Sequence, residues 1–157
     1  MLRSRFSFLI FCLFFSFQAY AATQANKFVY LKSNEVNLRS GPDGQHPIVW
    51  TIRNKGEPLK VLETFYQWLN VKTIAENKGW VQSPMVSIRY MYGVVVNETK
   101  KPVIGYAMNS SSSRKIVRLE PGVRLRVLKC NDTKWCKIRI NTFTAWIPQK
   151  NLWGINF

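Results

Sequence analysis

Apolar and polar residues alternate with a period of two along much of the chain. Leu59 and Val61 flank Lys60, Leu125 and Val127 alternate with Arg124 and Arg126, and Ile138 and Ile140 alternate with Lys137 and Arg139. Alternation of this kind puts one face of a strand into a core and the other into water. No long apolar stripe carries the 3.6-residue helical period, and Val, Ile, Thr and the aromatic residues are abundant, so the pattern predicts an all-β chain.

One segment departs from it. Arg3 and Arg5 precede an uncharged apolar run from Phe6 to Phe17, and the small-residue pattern Ala19-Tyr20-Ala21 follows. These are the three parts of a secretory signal, predicted to span residues 1–21 and to be cut before Ala22. The run is short of the roughly 20 residues that cross a bilayer as a helix. Cutting after Ala21 also discards Cys12, and no other stretch is long or apolar enough to span a membrane. The expected destination is the periplasm or the exterior.

The remaining 136 residues contain an internal repeat. Gly56-Glu57-Pro58-Leu59-Lys60-Val61-Leu62 returns 66 positions later as Gly122-Val123-Arg124-Leu125-Arg126-Val127-Leu128, and Trp80 and Trp146 obey the same shift. Trp68-Leu69-Asn70-Val71-Lys72 answers to Trp135-Cys136-Lys137-Ile138-Arg139 with a slip of one residue, which reads as a change in hairpin-loop length. Each copy is predicted to hold a glycine turn, an alternating strand, a polar loop, a second alternating strand and a tryptophan-bearing third. The units are placed at residues 28–87 and 92–153. Pro42–His46 and Asn109–Ser113 occupy matching places and read as surface loops. The joining segment Ile88-Arg89-Tyr90-Met91-Tyr92 is aromatic and apolar, unlike a flexible linker, so the units are expected to pack together.

In order and spacing, Val36-Asn37-Leu38-Arg39-Ser40-Gly41-Pro42, Lys55-Gly56, Val61-Leu62, Trp68-Leu69-Asn70-Val71 and Gly79-Trp80-Val81 resemble the bacterial SH3-like domain. The closer resemblance is to its tandem form in exported proteins, and it covers nearly the whole chain after the signal. It implies two small SH3-like β-barrels in tandem. The second copy departs from the pattern, with Ile104-Gly105-Tyr106-Ala107-Met108 in place of the Leu-Arg-Ser-Gly-Pro signature, so a ligand loop built on Arg39 is expected only in the first. The resemblance also matches Cys130 and Trp135-Cys136 to a Cys-loop-Trp-Cys feature of the second domain.

Loss of the signal leaves two cysteines, Cys130 and Cys136, on either side of a four-residue loop. An even count in an oxidising compartment points to a disulfide. Strict alternation from Leu125 and Val127 places Cys130 on the outer face, while Ile138 places Cys136 on the inner one. A bulge at the loop end would reconcile them. Two thiolates, with the single histidine His46 in the other copy, fall short of a four-ligand zinc site, and no redox motif is present.

A nucleophile, a base and an orienting group are needed for nucleophilic catalysis. The one histidine, His46, lies before Pro47 with no motif around it and reads as a solvated loop residue. The eight acidic residues are scattered rather than paired for glycan cleavage, and no phosphate-cradling loop or metal-ligand cluster is visible. The expectation is a chain that is not an enzyme, with no catalytic residues, metal or cofactor.

Six tryptophans and six tyrosines leave room for a binding groove, since aromatic rings form rigid apolar walls. The resemblance implies a groove for peptides or cell-wall peptide stems, and Arg39, Tyr66, Trp68 and Trp80 are the candidates for lining it. Trp80 also admits a core role, because it recurs at the repeat position of Trp146. Charge adds a second feature. The formal net charge is +15, or +13 without Arg3 and Arg5. Residues 22–87 contribute +3 and residues 88–157 contribute +10. Alternation predicts Arg124, Arg126, Lys137 and Arg139 on one outer face with no acidic partner, a candidate anionic-surface site. The bland reading is a charged face that blocks edge pairing and keeps the protein soluble.

The sequence therefore predicts an exported, non-catalytic binding module for cell-wall peptide, peptidoglycan or another anionic envelope component. The alternative is a protein-interaction factor, either a secreted effector or an envelope scaffold, with no cell-wall ligand. Nucleic acid fits the charge but is disfavoured by export.

Overall fold

The computed structural model describes residues 27–97 and 99–156, and the predicted signal over residues 1–21 lies outside them. The described residues form fourteen strands in two seven-stranded antiparallel sheets. The first sheet contains β1 (Phe28–Leu31), β2 (Val36–Arg39), β3 (Ile48–Ile52), β4 (Pro58–Phe65), β5 (Trp68–Lys72), β6 (Lys78–Gln82) and β7 (Val86–Ser87). The second contains β8 (Met91–Val95), β9 (Val103–Tyr106), β10 (Lys115–Leu119), β11 (Arg124–Cys130), β12 (Trp135–Ile140), β13 (Phe143–Pro148) and β14 (Leu152–Trp153).

The strand order is the same in both: β3-β2-β6-β5-β4-β1-β7 and β10-β9-β13-β12-β11-β8-β14. The repeat is therefore a repeat of topology. Gly56 and Gly122 open its two copies at φ +79° and +89°, a left-handed turn that suits glycine. Each sheet buries its own set of alternating residues. Leu38, Leu59, Val61, Val71 and Val81 form the centre of the first core, and Leu125, Val127, Cys136, Ile138 and Ile147 that of the second.

The hairpin slip has a visible cause. Both β4 and β11 bulge, at Leu62 and Leu128, but two residues then join β4 to β5 where four join β11 to β12. A second difference concerns how closely β2 approaches β6. A Cβ on Gly79 would lie 2.8 Å from the Leu38 Cβ and 3.0 Å from the Arg39 carbonyl oxygen. In the second sheet the large and small members change places: Gly105 stands where the first has Leu38, and Ala145 where it has Gly79. A Cβ on Gly105 would meet the Ala145 Cβ at 2.9 Å, so one small residue preserves the approach in each copy.

The two sheets meet along named contacts. The Phe28 and Trp153 rings pack edge to face at 5.0 Å, and Tyr30 and Tyr92 lie 5.9 Å apart. The Asn156 side chain brackets the Phe28 backbone, accepting from its N–H at 2.6 Å and donating to its carbonyl at 2.9 Å. The buried Glu57 carboxylate accepts from Arg124, through Nε and also through Nη2 at 3.3 Å. Among the described residues no helix is long and apolar enough to cross a membrane.

Candidate functional site

Directly opposed residues in an antiparallel sheet share a face. On the outward face of the first sheet, Arg39, Trp80, Asn70 and Glu63 form one row across β2, β6, β5 and β4. Trp68 leads the next row, opposite Gln82 on one side and Phe65 on the other. Between the rows and the start of β2 lies a hollow of about 260 Å³, lined by Glu35, Asn37, Arg39, Trp68, Gln82 and Met85 among others. Its wall combines an aromatic ring, amide groups, a guanidinium and a carboxylate. Such a mixture can seat a polar chain by stacking and hydrogen bonding together.

The four residues predicted to line a groove separate here. Arg39 and Trp68 line the hollow. Trp80 is half-buried beside Arg39 on the outward row, outside the core cluster, so its core reading is corrected. Outward placement follows from Gly79 and Val81, its neighbours, pointing inward. Tyr66 does not join them: it sits at the β4–β5 turn with φ +49°, is 89% exposed, and packs edge to face on Phe65 at 4.8 Å. A two-residue turn projects its side chain off the sheet end. Asn37 and Gln82 are legible in the alternation, since Asn37 lies two positions from Arg39 between the apolar Val36 and Leu38, and Gln82 two positions from Trp80.

Arg39 has a local role as well. Its Nη1 donates to the His46 carbonyl at 2.6 Å, tying down the 40–47 loop. Within the loop the Asp43 carboxylate accepts from the Gln45 N–H at 2.8 Å, and the buried Gly41 lies against the His46 ring. His46 itself is exposed. The residue types that make the loop signature thus hold a guanidinium at the edge of the hollow.

In the second sheet the same positions carry other side chains. Tyr106 opposes Trp146 as Arg39 opposes Trp80, and Trp135 answers to Trp68. The Tyr106 and Trp135 rings meet edge to face at 5.7 Å. The register pairs Arg39 with Tyr106, one position beyond the sequence shift, and neither Gly105 nor Tyr106 supplies a guanidinium.

The predicted basic face is corrected in two respects. Arg124 leaves it, because its guanidinium is paired with the buried Glu57 of the first sheet. The expectation of four cations with no acidic partner fails at this residue for a reason no local pattern shows. Lys129 enters, because the bulge at Leu128 turns it outward opposite Lys137. The outer face now carries Arg126 opposite Arg139 and Lys129 opposite Lys137. Arg126 lies 4.4 Å over the Tyr90 ring and Lys129 lies 5.8 Å over that of Trp146. No ion pair among the described residues involves any of these four.

The same bulge brings the cysteines together. Cys130 stands opposite Cys136, with Cα atoms 4.0 Å apart, and the two form a disulfide. Among the described residues no group of three or more His, Cys, Asp or Glu is placed to hold a metal.

Comparison with known proteins adds the relationship. Two family models, each described as a bacterial SH3 domain, match residues 34–87 and 103–154. YrvJ of Bacillus subtilis (strain 168), provisionally named an N-acetylmuramoyl-L-alanine amidase, is 22% identical over 160 residues. The match covers 95% of this chain and 30% of YrvJ, so the chain spans under a third of that relative's length. Among solved structures, NlpC2 from Trichomonas vaginalis is 14% identical with a TM-score of 0.37, covering 83% of this chain and 48% of that one. An NlpC/P60 family protein from Bacillus cereus ATCC 10987 is 14% identical with a TM-score of 0.36, covering 80% and 55%. One family match falls on each repeat, and the chain belongs to the bacterial SH3 domain family in its tandem, two-copy form.

Proposed function

We propose that this chain is an exported, non-catalytic binding module that recognises cell-wall peptide or peptidoglycan. In this reading residues 1–21 are a cleaved signal, each sheet closes as a small barrel, and the working protein is periplasmic or secreted. The observation that carries it is the hollow of the first sheet, where Trp68, Arg39, Asn37 and Gln82 converge on an outward face. An aromatic wall with amides and a cation suits a short peptide bearing a carboxylate, since the ring supplies apolar area and the guanidinium a charge-assisted bond, while the carboxylate in the lining, Glu35, is paired with Arg53 at 3.1 Å. The name of YrvJ refers to the bond joining muramic acid to alanine, where cell-wall glycan meets peptide, and this adds support. The non-catalytic part draws on the exposed loop position of the single histidine and on the pairing of Cys130 with Cys136.

The test is retention of the chain on purified peptidoglycan across a salt series. Retention should persist at moderate salt and fall about fivefold or more on Trp68→Ala, given a stacked ring worth roughly 1–3 kcal/mol. No retention at any salt would overturn the reading.

A second reading, a protein-interaction factor without a cell-wall ligand, is favoured by one feature. Strand β3 lies at a sheet edge and exposes Ile48, Val49 and Trp50 by 49%, 42% and 47%. Apolar edges of this kind pair readily with a partner strand. Under this reading Trp50→Lys abolishes partner capture and leaves peptidoglycan retention untouched.

A further inference from the structure

The four cations on β11 and β12 form two directly opposed like-charged pairs, Arg126 with Arg139 and Lys129 with Lys137. Opposed like charges about 5 Å apart destabilise a sheet. None of the four is neutralised by an acidic side chain within the described residues. The Lys129–Lys137 row continues across the sheet onto Trp146 and then Tyr106. Two cations and two aromatic rings thus lie in one line, where the matching row of the first sheet has Glu63 and Asn70 in place of the cations. Lys60 and Lys72 are the opposed cations of β4 and β5, and Lys72 is paired there with Glu76 at 2.8 Å.

We propose that the outer face of β11–β13 binds an acidic glycan, its acid groups held by Arg126, Lys129, Lys137 and Arg139 and a sugar ring set against Trp146 and Tyr106. This rests on the envelope-binding reading above and assigns the ligand class of the second repeat. A lone polyanion would explain the cations but not the aromatic end of the row. A neutral sugar would explain the rings but not two opposed cation pairs. Fixed cations on adjacent strands match a polymer that repeats its charge, since each added contact strengthens binding without a new site being built.

The probe is polygalacturonate, a glycan with a carboxylate on each sugar. It is compared with inorganic polyphosphate, neutral dextran and double-stranded DNA, all with the full chain at low and moderate salt. The expected result is binding to polygalacturonate, weaker binding to polyphosphate at equal charge, and none to dextran. Lys129→Ala with Lys137→Ala should weaken polygalacturonate binding roughly 25-fold, at about fivefold per surface cation. The exposed Arg139→Ala alone should weaken it roughly fivefold, which guards against a misfolded double variant. Lys100→Ala with Lys101→Ala should change little.

No binding to polygalacturonate, or polyphosphate binding as tightly, overturns the proposal, as does tighter retention by DNA. The outcome separates from that of the first repeat. Trp68→Ala should leave polygalacturonate binding intact while peptidoglycan retention falls. Peptidoglycan retention without polygalacturonate binding would sink this proposal alone, and the reverse would sink the peptidoglycan reading alone.

Discussion

Glu57 and Arg124, 67 residues apart, join the two repeats through a carboxylate that is almost wholly buried and a guanidinium that is about half exposed. Both stand at the start of the repeated motif, just after its glycine turn, yet they are different residue types there: Glu57 is matched by Val123, and Pro58 by Arg124. At these positions the two copies carry complementary rather than identical groups. The pair is one ionic contact among the ring and hydrogen-bond contacts that join the sheets.

Removing the cation alone should be costly, because it strands a buried carboxylate. Breaking a fully buried pair costs about 3–5 kcal/mol, and the half-exposed guanidinium brings this to about 2 kcal/mol for Arg124→Met. Urea unfolding measures it. Glu57→Gln combined with Arg124→Met should recover about 1 kcal/mol or more of the loss, and additivity of the two single changes would show that the contact carries no coupling.

Reduction of Cys130–Cys136 should lower the stability of the second sheet by about 2–3 kcal/mol on the chain-entropy model for so short a loop. Hydrogen exchange would report the change. Protection should fall over β11 and β12 and hold in β4 and β5. Equal loss in both sheets would mean that the repeats unfold as one unit.

What could be read from the residues depended on the range of the interaction concerned. The repeat and the strand triplets are written in local alternation, and Leu125, Val127 and Ile138 point inward as that alternation requires; the cysteine pair is written in the cysteine count and runs against the alternation. The fate of Arg124 was not legible, because its partner is distant in sequence and nothing around Glu57 announces burial. Lys129 was missed for a different reason: the bulge inferred to reconcile the cysteines also reverses every residue between Leu128 and the loop.

The Gly79 position should not tolerate a side chain. A Cβ there would press on the Leu38 Cβ and on the Arg39 carbonyl, and the carbonyl is backbone that cannot rotate away. Gly79→Ala should cost about 1–3 kcal/mol, the usual range for overpacking. It should also reduce peptidoglycan retention, since displacing β2 moves Arg39 relative to Trp68. Normal stability by urea unfolding would show that β2 can shift freely.

Alkaline pH should expose the contribution of Tyr30. Its side chain is 1% exposed, and its hydroxyl lacks a well-aligned hydrogen-bond partner. Burial pushes the phenol from 10.0 up to about 12, with the Asn156 backbone offsetting part of the rise. In the unfolded chain the phenol loses its proton near pH 10, while in the folded chain it keeps it until about pH 12. Between those values the unfolded state binds fewer protons, so stability falls as pH rises, whereas below pH 10 the phenol contributes no slope. Thermal unfolding midpoints followed from neutral to strongly alkaline pH should therefore decline more steeply for the native chain than for Tyr30→Phe. The two should converge near neutrality, because the variant removes a buried hydroxyl that makes no strong bond. Parallel pH profiles would mean that Tyr30 ionises as freely in the folded protein as in the unfolded one.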